Sequence, residues 1–280
     1  MKNRIGIMSG RLSDPVNNMI QAFPEHTWKD EFSKARKIGF EFIDWVFDLN
    51  KNPIMVDDGI KEILFLTEKN NVSIDVVCAD YFMYKRIFNV SEYELQKNLE
   101  VLQNLIIQCN KSNIKIIELP FVDFSSLQTI DDKKQILKNL EKILPFVEDN
   151  DITLALETDL PPNSFKDFLL AFNHPRILAN YDVGNSTSKG YDVKVELNIL
   201  KDFIAIVHIK DRVLHGGTVP LGMGDTDFNS FFSTLKKIEY KGNFVIQGAR
   251  EDLVNSDIEP EETCKKYYEF VKKHLNSYLC

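Results

Sequence analysis

The chain has 280 residues and carries 34 lysines and arginines against 42 aspartates and glutamates, a net charge of −8. That balance disfavours general nucleic-acid binding, which needs a basic footprint, and no apolar run approaches the roughly 18 residues of a membrane span. Cys78, Cys109, Cys264 and Cys280 lack CxxC spacing and read as free thiols of a reducing compartment.

Short β-branched runs alternate with helical segments from end to end. The expected strands are Arg4–Met8, Phe40–Val46, Ser73–Cys78, Ile114–Glu118, Thr153–Glu157, Ile177–Asp182, Ile204–His208 and Asn243–Gln247. The expected helices are Thr27–Ile38, Asp58–Asn70, Ser91–Lys111, Asp131–Asp149, Ser164–Phe172, Val193–Lys201, Asp227–Ile238 and Pro260–Ser277. Gly39 suits the C-cap of the first helix, and Asp227-x-x-Ser230 suits the N-cap of the seventh. Eight strand–helix pairs predict a (β/α)8 TIM barrel, a single domain over residues 1–280. An open doubly wound sheet is the alternative. It would want a glycine-rich turn after the first strand, and Met8-Ser-Gly-Arg-Leu12 is not one. No signal peptide precedes the first strand, so a cytoplasmic location is expected. The longer loops, Ser9–His26 and Ile209–Thr226, follow strands, whereas the connections back into strands are short. That asymmetry assigns function to the face at the strand C-termini.

Four strands in the second half end on a polar side chain: Glu157, Asp182, His208 and Gln247. A closed parallel barrel brings such residues to one face. Two carboxylates, an imidazole and an amide oxygen suit one divalent metal ion, Mn²⁺, Mg²⁺, Co²⁺ or Zn²⁺, better than a soft metal. Asp182 is also placed to cap the turn that follows it, and Gln247 is equally suited to plain hydrogen bonding.

The motifs Ala155-Leu-Glu-Thr158, Tyr181-Asp-Val-Gly-Asn185, Val207-His-Ile-Lys-Asp-Arg212 and Val219-Pro-Leu-Gly-Met-Gly-Asp-Thr-Asp-Phe228 follow in that order. Together with Ile5-Gly-Ile-Met8 and Gly39-Phe-Glu-Phe-Ile-Asp44, they make the chain resemble the xylose isomerase-like barrels of sugar isomerases and epimerases. Within that group the pattern looks most like the ketose and ketose-phosphate 3-epimerases. The resemblance implies a metal held by Glu, Asp, His and Glu, with both glutamates exchanging protons with a sugar or sugar-phosphate substrate through an enediolate. Glu157, Asp182 and His208 match the first three positions, and Gln247 stands at the fourth.

That departure matters, because an amide oxygen can ligate a hard cation but an amide cannot remove a proton. Inversion of a carbon usually needs a base on one face and an acid on the other, whereas aldose–ketose isomerisation needs one base. With Glu157 alone, isomerisation is the easier reaction. Glu118, Glu251 or Asp252 could supply a second base. Lys210, Arg212 and Arg250 are candidate contacts for phosphate or sugar oxygens, with Asn185 and Asp211 as orienting groups. His215-Gly-Gly-Thr218 offers backbone N–H groups to the same anion.

A metal-dependent dehydratase, an endonuclease-like enzyme on the same scaffold, and a non-catalytic sugar-binding barrel are the alternatives. With five histidines in the chain, the many-ligand endonuclease site is poorly matched. Neither a nucleic-acid partner nor a membrane partner is expected, and a homodimer is left open.

Overall fold

The computed structural model describes residues 3–49, 51–250 and 258–279. Eight parallel strands close into a barrel: β1 (Ile5–Met8), β2 (Phe42–Val46), β3 (Ser73–Cys78), β4 (Ile116–Phe121), β5 (Thr153–Thr158), β6 (Ile177–Asp182), β7 (Ile204–Ile209) and β10 (Asn243–Ile246). The order around the barrel is β1-β10-β7-β6-β5-β4-β3-β2, so every neighbour in sequence is a neighbour in space. Two short strands, β8 (Asp211–Arg212) and β9 (Thr218–Val219), form an antiparallel ribbon inside the loop after β7.

The helices pack outside, and their placement follows the sequence with instructive exceptions. Gly39 adopts φ 115° and closes helix Trp28–Ile38, and the Asp227 side chain accepts from Ser230 N at 2.9 Å to open helix Phe228–Lys237. The expected helix Asp131–Asp149 is instead two, Ile130–Glu141 and Leu144–Asp149. Pro145 lacks an N–H and its ring crowds the preceding turn, so it starts the second helix rather than continuing the first. An additional helix, Val183–Lys189, follows β6 directly. No helix among the described residues is long and apolar enough to cross a membrane. Cys78, Cys109 and Cys264 are buried free thiols; Cys280 lies outside the described residues.

A polar plug closes the lower barrel. Arg4 donates to Asp75 Oδ2 at 2.5 Å and to Ser73 Oγ at 2.8 Å, and its guanidinium lies 5.3 Å from the Phe42 ring centre. A Cβ on Gly6 would fall 2.4 Å from that ring, so only glycine lets Phe42 fill the floor. Above this plug the barrel carries ionisable groups on successive strands.

The long loop after β1 is pinned over the barrel mouth. Glu31, buried on helix Trp28–Ile38, accepts from Gly10 N at 2.9 and 2.8 Å, from Leu12 N at 3.1 Å and from Ser13 Oγ at 3.0 Å. Arg250 donates to the carbonyls of Gly10, Ser13 and Ile20, and Arg11 to those of Ile20 and Gly248. Burial pushes the Glu31 carboxyl up to about 7 despite the Gly10 amide that favours its charge. Replacing Glu31 by alanine strands buried donors, each costing about 1–3 kcal/mol. Glu31→Ala should therefore lose about 2–4 kcal/mol in urea denaturation; an unchanged midpoint would show that the loop does not depend on this anchor.

Candidate active site

The strand C-termini and their loops enclose a cavity of about 800 Å³. Glu157, Asn185, Lys210, Arg212 and Gln247 line it, as do Arg11, Gln21, Asp80 and Lys85. Arg250, expected as a substrate contact, and Glu118, expected as a candidate second base beside the substrate, are not among its lining residues. Arg250 is held by loop carbonyls, and Glu118 is completely buried deeper in the barrel. Glu251 and Asp252 lie outside the described residues.

Asp182 and His208 are register partners on β6 and β7. Asp182 does what a short polar residue at a helix start does: its Oδ1 accepts from Asn185 N at 2.8 Å. Its Oδ2 faces Lys210 Nζ at 2.7 Å. The helix begun by Asp182 runs close beneath the chain after β7, since a Cβ on Gly184 would sit 2.9 Å from the Lys210 carbonyl oxygen. Asn185, on that helix, donates to Glu157 Oε1 at 2.5 Å and accepts from Arg212 Nη1 at 2.9 Å. It therefore fixes the glutamate and the arginine together. Arg212 also grips Gly216 O through Nε at 3.1 Å and Nη2 at 2.8 Å. At His215–Thr218 it is thus a carbonyl that meets the cation. Asp211 holds the next stretch of the loop, accepting from the backbone amides of Gly222, Gly224 and Thr226.

Gln247 is oriented from outside the barrel. Its Nε2 donates to Gln21 Oε1 at 2.8 Å, which turns Oε1 toward Lys210 Nζ at 3.0 Å. Gln21 in turn donates to Asp80 Oδ2 at 2.6 Å. Lys210 therefore has Asp182 and Gln247 as direct partners and feels the Glu157 charge. Burial works against its ammonium, but these carboxylates overcome it and hold its pKa above the usual lysine value.

His208 is wholly buried, and its Nε2 lies 3.0 Å from Asp44 Oδ2 and 3.1 Å from Glu118 Oε2. Asp44, Glu118 and His208 form a buried group whose composition and spacing could hold a metal ion. Of the expected ligand set, this group contains only His208. Burial disfavours the imidazolium, but the two carboxylates outweigh it and raise the His208 pKa well above its usual value. The same imidazolium holds Glu118 below the usual carboxylate range against its burial, whereas burial keeps Asp44 at about 6. Glu157 moves the other way: burial first, then the Glu118 charge, push its pKa well above normal.

The sequence reading missed Asp44, Asp80, Gln21 and Arg11. Asp44 had a signal, a carboxylate inside the apolar strand Phe42–Val46. Asp80 sits two residues beyond the end of β3. Gln21 and Arg11 lie on a loop whose path no local pattern discloses.

The raised Glu157 pKa has a stability consequence. A carboxyl whose folded pKa exceeds its unfolded value contributes stability below the unfolded pKa, and that contribution is lost as pH rises through the folded pKa. In chelator-treated protein, Glu157→Gln should melt above wild type at pH 8 and lose that advantage near pH 4. A variant that is less stable at both pH values would mean that the carboxylate is not strained.

The chain matches the family model described as "Xylose isomerase-like TIM barrel" over residues 32–274. A putative L-ribulose-5-phosphate 3-epimerase, SgbU, of Haemophilus influenzae is 26% identical over 245 residues, covering 81% of this chain and 86% of that protein. The L-ribulose-5-phosphate 3-epimerase UlaE of Salmonella paratyphi C is 24% identical over 261 residues, covering 89% of this chain and 90% of its own length. Among solved structures, an L-ribulose 3-epimerase superposes with a TM-score of 0.80 at 17% identity, over 99% of this chain and 96% of that one. The IOLI protein with a bound zinc atom gives 0.78 at 14% identity, over 98% and 99%. With the closed eight-stranded barrel, the family match over most of the chain places this protein in the xylose isomerase-like TIM barrel family.

Proposed function

We propose that this protein is a sugar or sugar-phosphate epimerase or isomerase that removes a proton beside the substrate carbonyl and passes through an enediolate. The observation that carries this reading is Glu157, a buried carboxylate that lines the cavity and is oriented by Asn185 Nδ2 at 2.5 Å. The relatives named as L-ribulose-5-phosphate 3-epimerases favour a ketose phosphate. Arg11, Lys85, Lys210 and Arg212 are the cations that the cavity lining offers to such an anion, beside the carboxylates Asp48, Asp80, Asp123 and Glu157.

The donor set fits a divalent cation. His208 Nδ1 is buried without a hydrogen-bond partner among the described residues, and the Lys210 ammonium already places positive charge between Asp182 Oδ2 and Gln247 Oε1. With Nε2 engaged by Asp44 and Glu118, His208 has the carboxylate–imidazole arrangement that commonly backs a metal-bound histidine. Glu157, Asp182, His208 and Gln247 would hold the ion, His208 through Nδ1 after giving up its second proton, with Asp44 and Glu118 behind the histidine. When bound, a divalent cation would polarise the substrate carbonyl and offset charge on the enediolate oxygens. Manganese, magnesium, cobalt and zinc all suit this mixed set.

The side chains divide the remaining work. Glu157 accepts the carbon-bound proton, and its raised pKa brings it toward the working pH of a general base. Asn185 holds that carboxylate in place. Gln247 cannot return a proton to the opposite face, so inversion needs another acid. Asp80 meets that need: it lines the cavity, is joined through Gln21 to Gln247, and is raised to about 6, chiefly by burial. Simple isomerisation would use Glu157 alone.

The test is product analysis on ketoses and ketose 5-phosphates. Glu157→Gln should lower turnover by about 10³-fold or more, and Asp80→Asn should lower 3-epimerisation by about 10²-fold while sparing any aldose product. Gln247→Glu should raise 3-epimerisation. Full activity in Glu157→Gln would remove the proposed base. Sugar binding without turnover of any substrate by wild type would favour a binding protein.

A further inference from the structure

We infer that Lys210 is a tethered cation that occupies the Asp182–Gln247 pair and must leave before a divalent ion can bind there. This rests on the metal reading of the site. Asp182 has two oxygens, and Oδ1 is committed to the Asn185 amide at 2.8 Å. Oδ2 is the oxygen left for a cation, and Lys210 Nζ stands 2.7 Å from it. The same nitrogen donates to Gln247 Oε1 at 3.0 Å. Gln247 cannot offer its nitrogen instead, because Nε2 is tied to Gln21 at 2.8 Å. Two of the four oxygen and nitrogen donors expected for the ion are therefore already facing a positive charge.

Each of these oxygens has a second lone pair, so the conflict is one of like charges crowded at close range. An ion that coordinates oxygen sits about 2.0–2.2 Å from it, depending on the metal. An ion on Asp182 Oδ2 would therefore stand within a few ångströms of the ammonium, with like charges at close range in a medium that screens them poorly. The ammonium has somewhere to go. Lys210 lines the open cavity, and its side chain retains 12% exposure. A glutamate at position 247 would add a negative charge and favour the divalent ion more strongly than the amide does. The pairing of Gln247 with Lys210 thus sets a weak metal site, which displacement of one side chain opens.

Lys210 lies one residue beyond the end of β7, and from there its Nζ reaches Asp182 at the end of the neighbouring strand β6. Lys210 lines the same cavity as Glu157, feels its charge and stands directly on Asp182.

Titration of chelator-treated protein with Mn²⁺, followed by the electron paramagnetic resonance of the free ion, tests the idea without substrate. Lys210→Met should bind Mn²⁺ at least tenfold more tightly than wild type, and Lys210→Gln should change in the same direction. Equal or weaker binding by both variants, with wild type binding normally, would overturn the competition while leaving the metal site intact. Absence of Mn²⁺ binding in wild type and variants alike would sink the metal reading and this inference with it. A second measurement uses the wild-type protein alone. Acetic anhydride labelling of Lys210, read by mass spectrometry of its peptide, should rise several-fold on saturation with Mn²⁺. Labelling that stays constant or falls would mean that the ammonium remains on Asp182.

Discussion

Four carboxyl groups, Asp44, Glu118, Glu157 and Asp182, sit inside one barrel with His208 and Lys210 as the cations that face them directly. Concentrating acids in a low-dielectric interior is costly unless positive charge is supplied at close range. The barrel supplies it at two depths. His208 serves Asp44 and Glu118 below, and Lys210 serves Asp182 above, beside Glu157. Glu157 has the Asn185 amide but no cation in direct contact among the ion pairs described, and burial together with the Glu118 charge disfavours its anion. Burial first, and then the Glu118 charge, raise the Glu157 proton affinity in the direction that the proposed general base needs.

The rest of the molecule keeps this arrangement in place. Arg4 and Phe42 close the barrel floor, so the ionisable layer cannot drain to solvent from below. Glu31, Arg11 and Arg250 hold the loop after β1, and that loop delivers Gln21 to Gln247. The conformation of a single amide at the end of the last strand region thus depends on a buried carboxylate on the first helix. Function placed at strand ends and stability placed in the floor and helices is the usual division in this architecture.

Much of this was legible before any coordinates. Alternation of β-branched runs and helical segments encodes the barrel, because each strand must bury both faces and each helix one. Glu157, Asp182 and His208 were visible because each closes an apolar run. Other features are three-dimensional. Asp44 and His208 are 164 residues apart, and only barrel closure brings them to 3.0 Å. Lys210 reads in sequence as one more cation for an anionic substrate, yet in the folded chain its ammonium stands on Asp182 at 2.7 Å. Arg250 has the same local look, but the loop carbonyls of Gly10, Ser13 and Ile20 claim it instead. Pro145 marked a break that the apolar spacing around it concealed.

The central claim is that Glu157 removes a proton from carbon beside a ketose carbonyl. Proton NMR in deuterated water, with the metal-loaded protein and a pentulose 5-phosphate, reads that event directly and position by position. The account predicts deuterium wash-in at a carbon adjacent to the carbonyl, present in wild type and abolished in Glu157→Gln. Undiminished exchange in Glu157→Gln, or stereochemical change without any solvent deuterium, would contradict it.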